Sequence, residues 1–399
     1  MTVREEAAAI AGEITELRHA IHREPEIGLD LPRTQQKVLA ALDGMPVEIT
    51  AGRSLTSVTA VLRGGRPGPA VLLRADMDAL PVTEATGAPF ASRVDGVMHA
   101  CGHDLHTAML AGAARLLAAR QSDLPGSVIF MFQPGEEGCG GAGVMIGEGV
   151  IGAAGGRPVA AYALHVFSDM LGSGVFAMRP GPAMAASDAI SITVRGRGGH
   201  ASVPHRNLDP VPAACEMVTA LQTLVTRRFD VFDPVVITVG SFHAGTARNV
   251  IPDEARIEAT ARSYSPGSRK RLRDETLRLV HGIAHAHGLT ADAQYTEGYP
   301  VTVNDPAETA FAAQTVTELF GRPRYLDASA PTPGAEDMAF VLDQIPGAYL
   351  MLGACPPHLD FTKAAYNHSP QAVFDDSVLA DGAALLAELA IRRLNRDQR

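Results

Sequence analysis

Two patterns of apolar and polar positions alternate along the N-terminal part of the chain. Short runs rich in β-branched residues predict strands, and a longer Ala- and Leu-rich run with helical spacing predicts a helix. The predicted strands cover 58–64, 70–80, 126–134 and 159–167, and the predicted helix covers 103–120. Apolar strands separated by helices indicate an α/β sheet that is covered on both faces.

The pattern changes at a joint rich in Pro, Gly and Ala over 178–187. Beyond it, the predicted elements are a strand, a helix, two strands, a helix and a strand, over 189–198, 210–229, 235–245, 253–264, 268–288 and 291–299. This β-α-β-β-α-β order is the ferredoxin-like arrangement. The α/β pattern then resumes and ends in a predicted helix over 377–394. We therefore predict a main α/β domain over 1–182 and 300–399 and an inserted α+β domain over 183–299.

Composition excludes several classes of partner. The formal charge of −10 and the absence of Lys- or Arg-rich blocks argue against nucleic acid. No apolar run approaches the roughly 18 residues of a membrane helix. The first 21 residues predict an amphipathic helix and lack the features of a signal peptide. The four irregularly spaced cysteines do not suggest a disulfide framework, so we predict a cytoplasmic protein.

Candidate chemistry begins where the second predicted strand ends. The stretch RADMDALP places Asp76 and Asp78 two residues apart, so a strand would direct both side chains to one face. A polar strand end without a further role is the simpler interpretation. In HACGHDLH, Cys101 and His103 can present a thiolate and an imidazole to one cation at the start of a helix. Asp104 is available to orient an imidazole.

The same stretch contains two further histidines, His99 and His106, which we expect on the helix surface or in supporting roles. A later stretch, QPGEEGCGGAG, carries adjacent acids, of which one can bind a metal while the other acts as a general base. Residues 138–143 also fit G-x-G-x-x-G. That match lies six residues beyond its strand and lacks a suitable later acid, which argues against a dinucleotide site.

Two single histidines complete the set of candidate ligands. His165 lies in an apolar strand, where a histidine is usually a core residue, and His368 lies in a turn-like stretch, which usually means the surface. Taken together, the candidates form a mixed N/O/S set that suits Zn²⁺, Mn²⁺ or a related ion: Cys101, His103, Glu137, His165 and His368. Two such ions could share a water molecule and lower its pKa.

The ordered motifs resemble those of the amidohydrolase branch of the aminoacylase-like di-metal metallopeptidases. That branch includes hippurate hydrolases, N-acetyl-diaminopimelate deacetylases and hydrolases of indole-acetyl amino acids. The motifs are RADMDALP, HACGHD, PGEE, ALH, GGHAS, RNVIP and NHSP, and the resemblance extends from residue 22 to residue 370. It implies a mixed-sheet, aminopeptidase-like catalytic domain with two divalent ions per subunit, Mn²⁺ or Zn²⁺. It also implies that the inserted domain is a lid that forms a homodimer or a higher oligomer.

Matched motif by motif, the resemblance assigns metal binding to the five residues of the mixed set. It places Glu136 at the general-base position and Asp78 at the position of an acid that supports the site. Asp76 stands where more distant relatives carry a ligating histidine. The position of Cys101 supplies a ligand in this branch, and the preferred metal stays open.

In the inserted domain, the resemblance assigns His200 to the polarisation of the scissile carbonyl, from the other subunit. It assigns Asn249 and Arg262 to substrate, and a guanidinium suits a free carboxylate. The motif PTPGAEDMAF keeps Gly334, Glu336 and Asp337, and of these we assign Gly334 to substrate binding.

The same motif has Ala335 and Met338 where relatives often carry Ser and Phe, so we expect an altered acyl pocket. His205 and His243 are expected to be structural or peripheral.

The predicted function is metal-dependent hydrolysis of an N-acyl amino acid to a carboxylic acid and a free amino acid. The acyl group stays open, with acetyl, benzoyl and longer or aromatic groups all compatible with the motifs. One alternative is a hydrolase with Cys101 as nucleophile, which would be sensitive to alkylation and indifferent to chelators. The other alternative is a non-catalytic binding protein on the same fold.

Overall fold

The structure is a computed structural model that describes residues 1–396. Its helices are α1 Val3–Ala9, α2 Ala11–His22, α3 Pro32–Leu42, α4 His103–Ala118, α5 Gly141–Gly147, α6 Pro210–Arg228, α7 Pro266–Ala286, α8 Pro306–Phe320, α9 Ala339–Leu342 and α10 Val378–Arg396. Its strands are β1 Val47–Ala51, β2 Val58–Arg63, β3 Arg66–Asp76, β4 Pro125–Gln133, β5 Ala160–Gly172, β6 Phe176–Met178, β7 Gly181–Met184, β8 Ala186–Arg195, β9 Gly199–His200, β10 Val235–Ala244, β11 Val250–Ile251, β12 Glu254–Ser263, β13 Thr290–Tyr299, β14 Thr302–Asn304, β15 Tyr325–Asp327 and β16 Gly347–Cys355.

The chain divides into two compact units. The first unit comprises Met1–Gly181, Val303–Ala330 and the chain from Asp337 onward, and the second comprises Pro182–Thr302 and Pro331–Glu336. The first unit contains an eight-stranded sheet in the order β1-β2-β4-β3-β5-β16-β6-β15. Strands β4, β3, β5 and β16 run parallel, whereas β1 and β2 pair antiparallel, so the sheet is mixed. The predicted α/β class with a mixed sheet is confirmed.

Burial explains why these segments form central strands. Every residue of β16 is buried, as are the last seven residues of β3, and parallel strands covered on both faces need such apolar runs. Helix α4 lies against the sheet with 14 of its 16 residues buried, and it also packs on α2 and α10. The predicted N-terminal helix is two helices, because the backbone leaves the helical conformation at Ile10. Helix α1 packs on α10, and α2 packs on α4.

The second unit follows the order β8-α6-β10-β12-α7-β13, which is β-α-β-β-α-β. Its four strands form an antiparallel sheet in the order β10-β12-β8-β13. Helices α6 and α7 pack on this sheet around a separate apolar cluster. The Asp209 side chain caps the N-terminus of α6 by accepting a hydrogen bond from the Val211 amide, and Pro210 occupies the first helical position. Among residues 1–396, no helix has the length and apolar character needed to cross a membrane.

Candidate metal centre

Neighbouring parallel strands bring the predicted acids and one histidine to the same edge of the first sheet. Strand β3 ends at Asp76, and β4 ends shortly before Glu136 and Glu137. His165 lies in β5 on the other side of β3. Because parallel strands end at the same edge, side chains distant in sequence meet there.

Helix α4 brings its first turn to the same edge of the sheet. His103 is its first residue and Cys101 lies just before it. Gly102 between them has φ +86°, and a Cβ there would lie 2.3 Å from Val166 Cγ2, so only glycine fits. The chain can therefore turn sharply into the helix and present both candidate ligands at its start.

The five predicted ligands lie together around Cys101. Its Sγ lies 3.5 Å from Nε2 of His165 and 3.3 Å from Nε2 of His368. The same His368 nitrogen lies 3.1 Å from Oε1 of Glu137, which is 4.0 Å from Nε2 of His103. Cys101 belongs to two groups of three residues, and the ligand atoms of each group lie close enough together to bind one ion. The groups are Cys101, His103 and His165, and Cys101, Glu137 and His368.

The surroundings of the His103 side chain are those expected of a residue that binds a cation. This side chain is fully buried, yet neither ring nitrogen makes a hydrogen bond. Asp78 Oδ1 lies 3.5 Å from Nδ1, and Asp76 Oδ2 lies 3.8 Å from Nε2. Leaving a buried polar atom without a partner costs free energy, and a metal ion would remove that cost.

The Cys101 thiol can act as a metal ligand only when a cation holds it as the thiolate. Burial raises the pKa of this thiol to about 12, against the lowering effect of nearby His103. The thiolate is both the metal ligand and the nucleophile, so the protein alone leaves this sulfur protonated at neutral pH. A divalent cation next to the sulfur would hold it as a thiolate. Together with the imidazole and carboxylate donors, the sulfur makes a donor set that fits a zinc-like or manganese-like ion.

Hydrogen bonds to the backbone orient His165 and His368. His165 Nδ1 donates to the Val166 carbonyl at 2.8 Å, which leaves the Nε2 lone pair toward Cys101. His368 is the one non-glycine residue with positive φ, +74°, among residues 1–396. Its backbone amide donates to the Ala100 carbonyl at 2.8 Å, which holds this strained residue in place.

Asn367 is a site residue that the sequence analysis missed. It is buried, and its Nδ2 donates to the Val166 carbonyl at 3.0 Å and to the Cys101 carbonyl at 3.3 Å. Its Oδ1 accepts from the Ser168 amide. One side chain thus joins the loop of His368 to the segments of two other candidate ligands. The signal in the sequence was an amide residue directly before a predicted ligand in NHSP.

Asp78 supports the site through two backbone hydrogen bonds. Its Oδ1 accepts from the Glu136 amide at 2.9 Å, and its Oδ2 accepts from the Glu137 amide at 3.0 Å. The carboxylate therefore holds the turn after β4 against the end of β3. Glu136 is buried beside Glu137, and both lie near His103.

Asp76 lies in a separate buried network beside the candidate ligands. Arg74 Nη1 donates to Asp76 Oδ2 at 2.6 Å, and Arg74 Nη2 donates to Asp337 Oδ1 at 2.7 Å. Burial would raise the pKa of Asp76, but the Arg74 guanidinium and the nearby imidazoles hold it well below its usual range. Asp337 Oδ2 accepts from the Ala142 amide at the start of α5. The first turn of the helix in the G-x-G-x-x-G stretch therefore already contacts a carboxylate, which argues further against a dinucleotide there.

The expectation of a surface position for His99 and His106 is wrong. Both are buried, because α4 and the chain before it are enclosed by the sheet and by other helices. Asp104, expected to orient an imidazole of the site, instead accepts from Arg18 Nε at 3.0 Å and from His22 Nδ1 at 2.8 Å. Its partners come from α2, some eighty residues earlier in the chain, so local sequence did not reveal them.

The remaining predicted residues lie in the second unit. His200 is exposed in β9, opposite Val250 of β11, and its Nδ1 lies 2.8 Å from Ser202 Oγ. Asn249 is exposed, and its carbonyl accepts from the Ala201 amide.

Arg262 of β12 donates to Thr260 Oγ1 at 2.6 Å, and the Gly334 carbonyl accepts from the Ala185 amide. The two extra histidines, His205 and His243, are exposed. The assigned roles of His200, Asn249, Arg262 and Gly334 stay predictions.

Comparisons with known proteins bear on this arrangement. Residues 72–392 match the family model described as peptidase family M20/M25/M40. A protein named thermostable carboxypeptidase 2 from Saccharolobus solfataricus is 38% identical over 96% of this chain and 96% of its own length. A protein named hippurate hydrolase from Campylobacter jejuni is 35% identical over 99% of this chain and 100% of its own.

Two solved structures resemble the whole chain. One is described as a putative aminohydrolase from methicillin-resistant Staphylococcus aureus, with a TM-score of 0.93, 32% identity and coverage of 98% and 99% of the two chains. The other is a Bacillus subtilis protein described as a dinuclear metal binding peptidase, with a TM-score of 0.83, 32% identity and coverage of 97% and 99%. The predicted resemblance and the prediction of an enzyme are confirmed. This chain belongs to peptidase family M20/M25/M40, in the amidohydrolase branch that its motifs indicated.

Proposed function

We propose that this protein is a metal-dependent amidohydrolase that cleaves N-acyl amino acids into a carboxylic acid and a free amino acid. The observation that carries the proposal is the cluster of candidate ligands around Cys101, with Glu136 and Glu137 adjacent to it. The relative named hippurate hydrolase, which matches nearly the whole chain, supports an N-acyl amino acid as substrate. The relative named carboxypeptidase fits the same chemistry if the acyl group is itself a peptide.

Two divalent ions, Mn²⁺ or Zn²⁺, are proposed to bind at the five candidate ligands. Cys101 belongs to both ligand groups and is the residue that joins them. The dinuclear metal in the description of the Bacillus subtilis relative supports this number of ions. When bound, such a pair lowers the pKa of a water molecule and polarises the amide carbonyl.

Glu136 is proposed to move the proton during hydrolysis. The oxygen of water forms a bond with the carbonyl carbon, and its proton passes to the Glu136 carboxylate. As the C–N bond breaks, Glu136 delivers that proton to the leaving nitrogen. The hydrogen bonds from the Glu136 and Glu137 amides to Asp78 hold the two acids in place for these separate tasks.

Substrate contacts are proposed for residues of the second unit on the basis of their motifs. Arg262 suits the free carboxylate of the amino acid, because its guanidinium can form two parallel hydrogen bonds. Asn249 and Gly334 are assigned to the same substrate, and His200 to the oxygen of the scissile carbonyl. Replacing Arg262 by Lys is expected to raise KM for N-acyl amino acids more than it changes kcat.

A substrate panel tests the proposed function. The purified protein is loaded with Mn²⁺ or Zn²⁺ and assayed for amino acid release from acetyl, benzoyl and peptidyl amino acids and from the matching amino acid amides. Turnover of the acids, poor turnover of the amides and loss of activity on chelation support the proposal. Turnover that persists after complete metal removal would contradict it.

The adjacent glutamates provide a matched pair of variants. Glu136→Gln is expected to abolish turnover while both ions remain bound, because the amide cannot accept the proton. Glu137→Gln is expected to weaken metal binding itself. Metal content measured alongside kcat separates the two effects, and near-normal turnover of the Glu136 variant would remove the proposed base.

The two alternatives predict different results. A Cys101 nucleophile would need a lowered thiol pKa, whereas burial raises the pKa of this thiol to about 12. That enzyme would be inactivated by alkylation and not by chelators. A non-catalytic protein would bind members of the panel without turning any of them over.

Three further predictions accompany the proposed function. The inserted domain over 183–299 is proposed to act as a lid and to form a homodimer, which light scattering after size-exclusion chromatography would measure. The domain boundaries at 182/183 and 299/300 stay a prediction. A cytoplasmic location is proposed from the composition, and the four cysteines, which are all free, agree with it.

A further inference from the structure

His106 replaces the missing partner of β5 on the side of β3, near the middle of β5. The parallel ladder between β3 and β5 ends at the pair Arg74 and Ala163. Further along β5, the Val166 amide donates to His106 Nε2 at 2.8 Å. A side chain of α4 therefore holds β5 on the side where β3 no longer pairs with it, while β16 still pairs with β5 on the other side.

Both nitrogens of His106 are used in hydrogen bonds. Nε2 accepts from an amide, so it carries no proton, and the ring proton is on Nδ1. Nδ1 donates to Asp76 Oδ1 at 2.6 Å, and Arg74 holds the other oxygen of that carboxylate. Asp76, His103 and His106 lie close enough together for a metal ion, but His106 has no lone pair left to bind one.

The bond to Val166 ends next to a candidate ligand. His165 precedes Val166 and donates from Nδ1 to the Val166 carbonyl. The His106 ring also packs edge-on against the His165 ring, with 4.7 Å between centroids. His106 and His103 lie one turn apart on α4, so a single side chain connects the helix that begins with two ligands to the strand that carries a third.

We propose that His106 is a positioning residue that sets the spacing between His165 and the ligand pair Cys101 and His103. Asp76 and Arg74 serve the same purpose by fixing the orientation and proton position of the His106 ring. The inference rests on the proposed metal-dependent function. It assigns to His106 an effect on metal binding without direct contact with the ion.

Thr107 provides a control for the loss of a buried hydrogen bond at the start of α4. It is the next residue of α4, it is fully buried, and its Oγ1 donates to the Asp76 carbonyl at 2.9 Å. This bond joins α4 to β3 but makes no contact with β5. Thr107→Val removes a buried hydrogen bond at almost constant shape, so it reports what structural damage alone does to metal binding.

The experiment compares metal affinity in full-length wild-type protein, His106→Leu, His106→Gln and Thr107→Val. Affinity is measured by competition with a chromophoric chelator, and the Co²⁺-loaded forms are compared by visible absorption. His106→Leu is expected to bind metal 10- to 100-fold more weakly, as is typical when a group that orients a ligand is lost. His106→Gln should recover part of this loss, because its amide oxygen can accept from the Val166 amide.

The Co²⁺ spectrum should change in the leucine variant and stay unchanged in Thr107→Val. Equal affinity and spectrum in His106→Leu and wild type would overturn the proposal, and so would an equal loss in Thr107→Val. If the leucine variant does not fold, His106→Met replaces it, because methionine adapts to irregular cavities. A wild-type protein that binds no metal would instead refute the proposed function, so the two failures are distinguishable.

Discussion

Replacing Arg74 by methionine is expected to destabilise the first unit by about 3–5 kcal/mol, the usual cost of removing one partner from a buried ion pair. Arg74 and its two carboxylate partners, Asp76 and Asp337, are almost completely inaccessible to solvent. Its Nε also donates to Gln133 Oε1 at 2.8 Å. Methionine fills similar space but leaves two buried carboxylates without their cation, and water cannot replace it there.

Thermal unfolding of the metal-free protein measures this effect. A loss of this size corresponds to a fall in Tm of about 10 °C for a unit of this kind. Arg63→Met is the matched control, because Arg63 also lies on a strand of the same sheet and also pairs with a carboxylate, that of Glu48. Both members of that pair are exposed, so little change in Tm is expected.

A double variant tests the reason for the loss. Combining Arg74→Met with Asp76→Asn removes one unpaired carboxylate, while the asparagine oxygen can still accept from His106 Nδ1. The double variant should therefore melt above the single Arg74 variant. The reasoning is refuted if Arg74→Met melts as close to wild type as Arg63→Met does, or if the double variant melts no higher than the single one.

Three other outcomes are expected. Burial lowers the pKa of His22, but its carboxylate partners Asp104 and Glu84, at 2.8 Å and 3.3 Å, outweigh this and raise the pKa to about 9 from 6.5. The resulting stabilisation, about 3 kcal/mol, is present below pH 6.5 and lost as pH rises to 9. The free energy of unfolding should therefore fall between pH 6.5 and 9, and this fall should be smaller in His22→Gln. Gly102→Ala should lower Tm and metal affinity more than Gly87→Ala, because both have positive φ but only Gly102 lacks space for a Cβ. Chelation should lower Tm, and excess metal should restore it, because metal at 100 times its Kd raises the free energy of unfolding by about 2.7 kcal/mol.

The candidate ligands could be selected from the sequence because their motifs are local. Cys101 and His103 are two residues apart, and adjacent acids after an apolar strand already indicated a pair with separate tasks. Strands β2 to β5 and the six elements of the inserted domain were also predictable, since their strands carry apolar runs and their helices carry their own periodicity. Strand β16 was not predicted, although every one of its residues is buried. Edge strand β1 was not predicted, because four of its five residues are exposed and it lacks such a pattern.

The burial of His106 and Asp104 and the identity of their partners were not predictable in this way. His106 and Asp104 lie in the first turn of a helix, where polar residues are usually exposed, and nothing local distinguishes them from surface residues. Their burial follows from the packing of α4 between the sheet and two other helices. The partners that satisfy them come from distant segments, Arg18 and His22 for the aspartate and Val166 for the histidine.

The sequence by itself indicated the α/β class through its apolar pattern, and it indicated the family and the five candidate ligands through short motifs in a fixed order. The tertiary structure decided how those ligands are held. Only the parallel order of β4, β3 and β5 brings Asp78 to the turn after β4 and His106 to Val166 of β5. Hydrogen bonds between distant segments depend on which strands are neighbours, and that is a property of the folded chain.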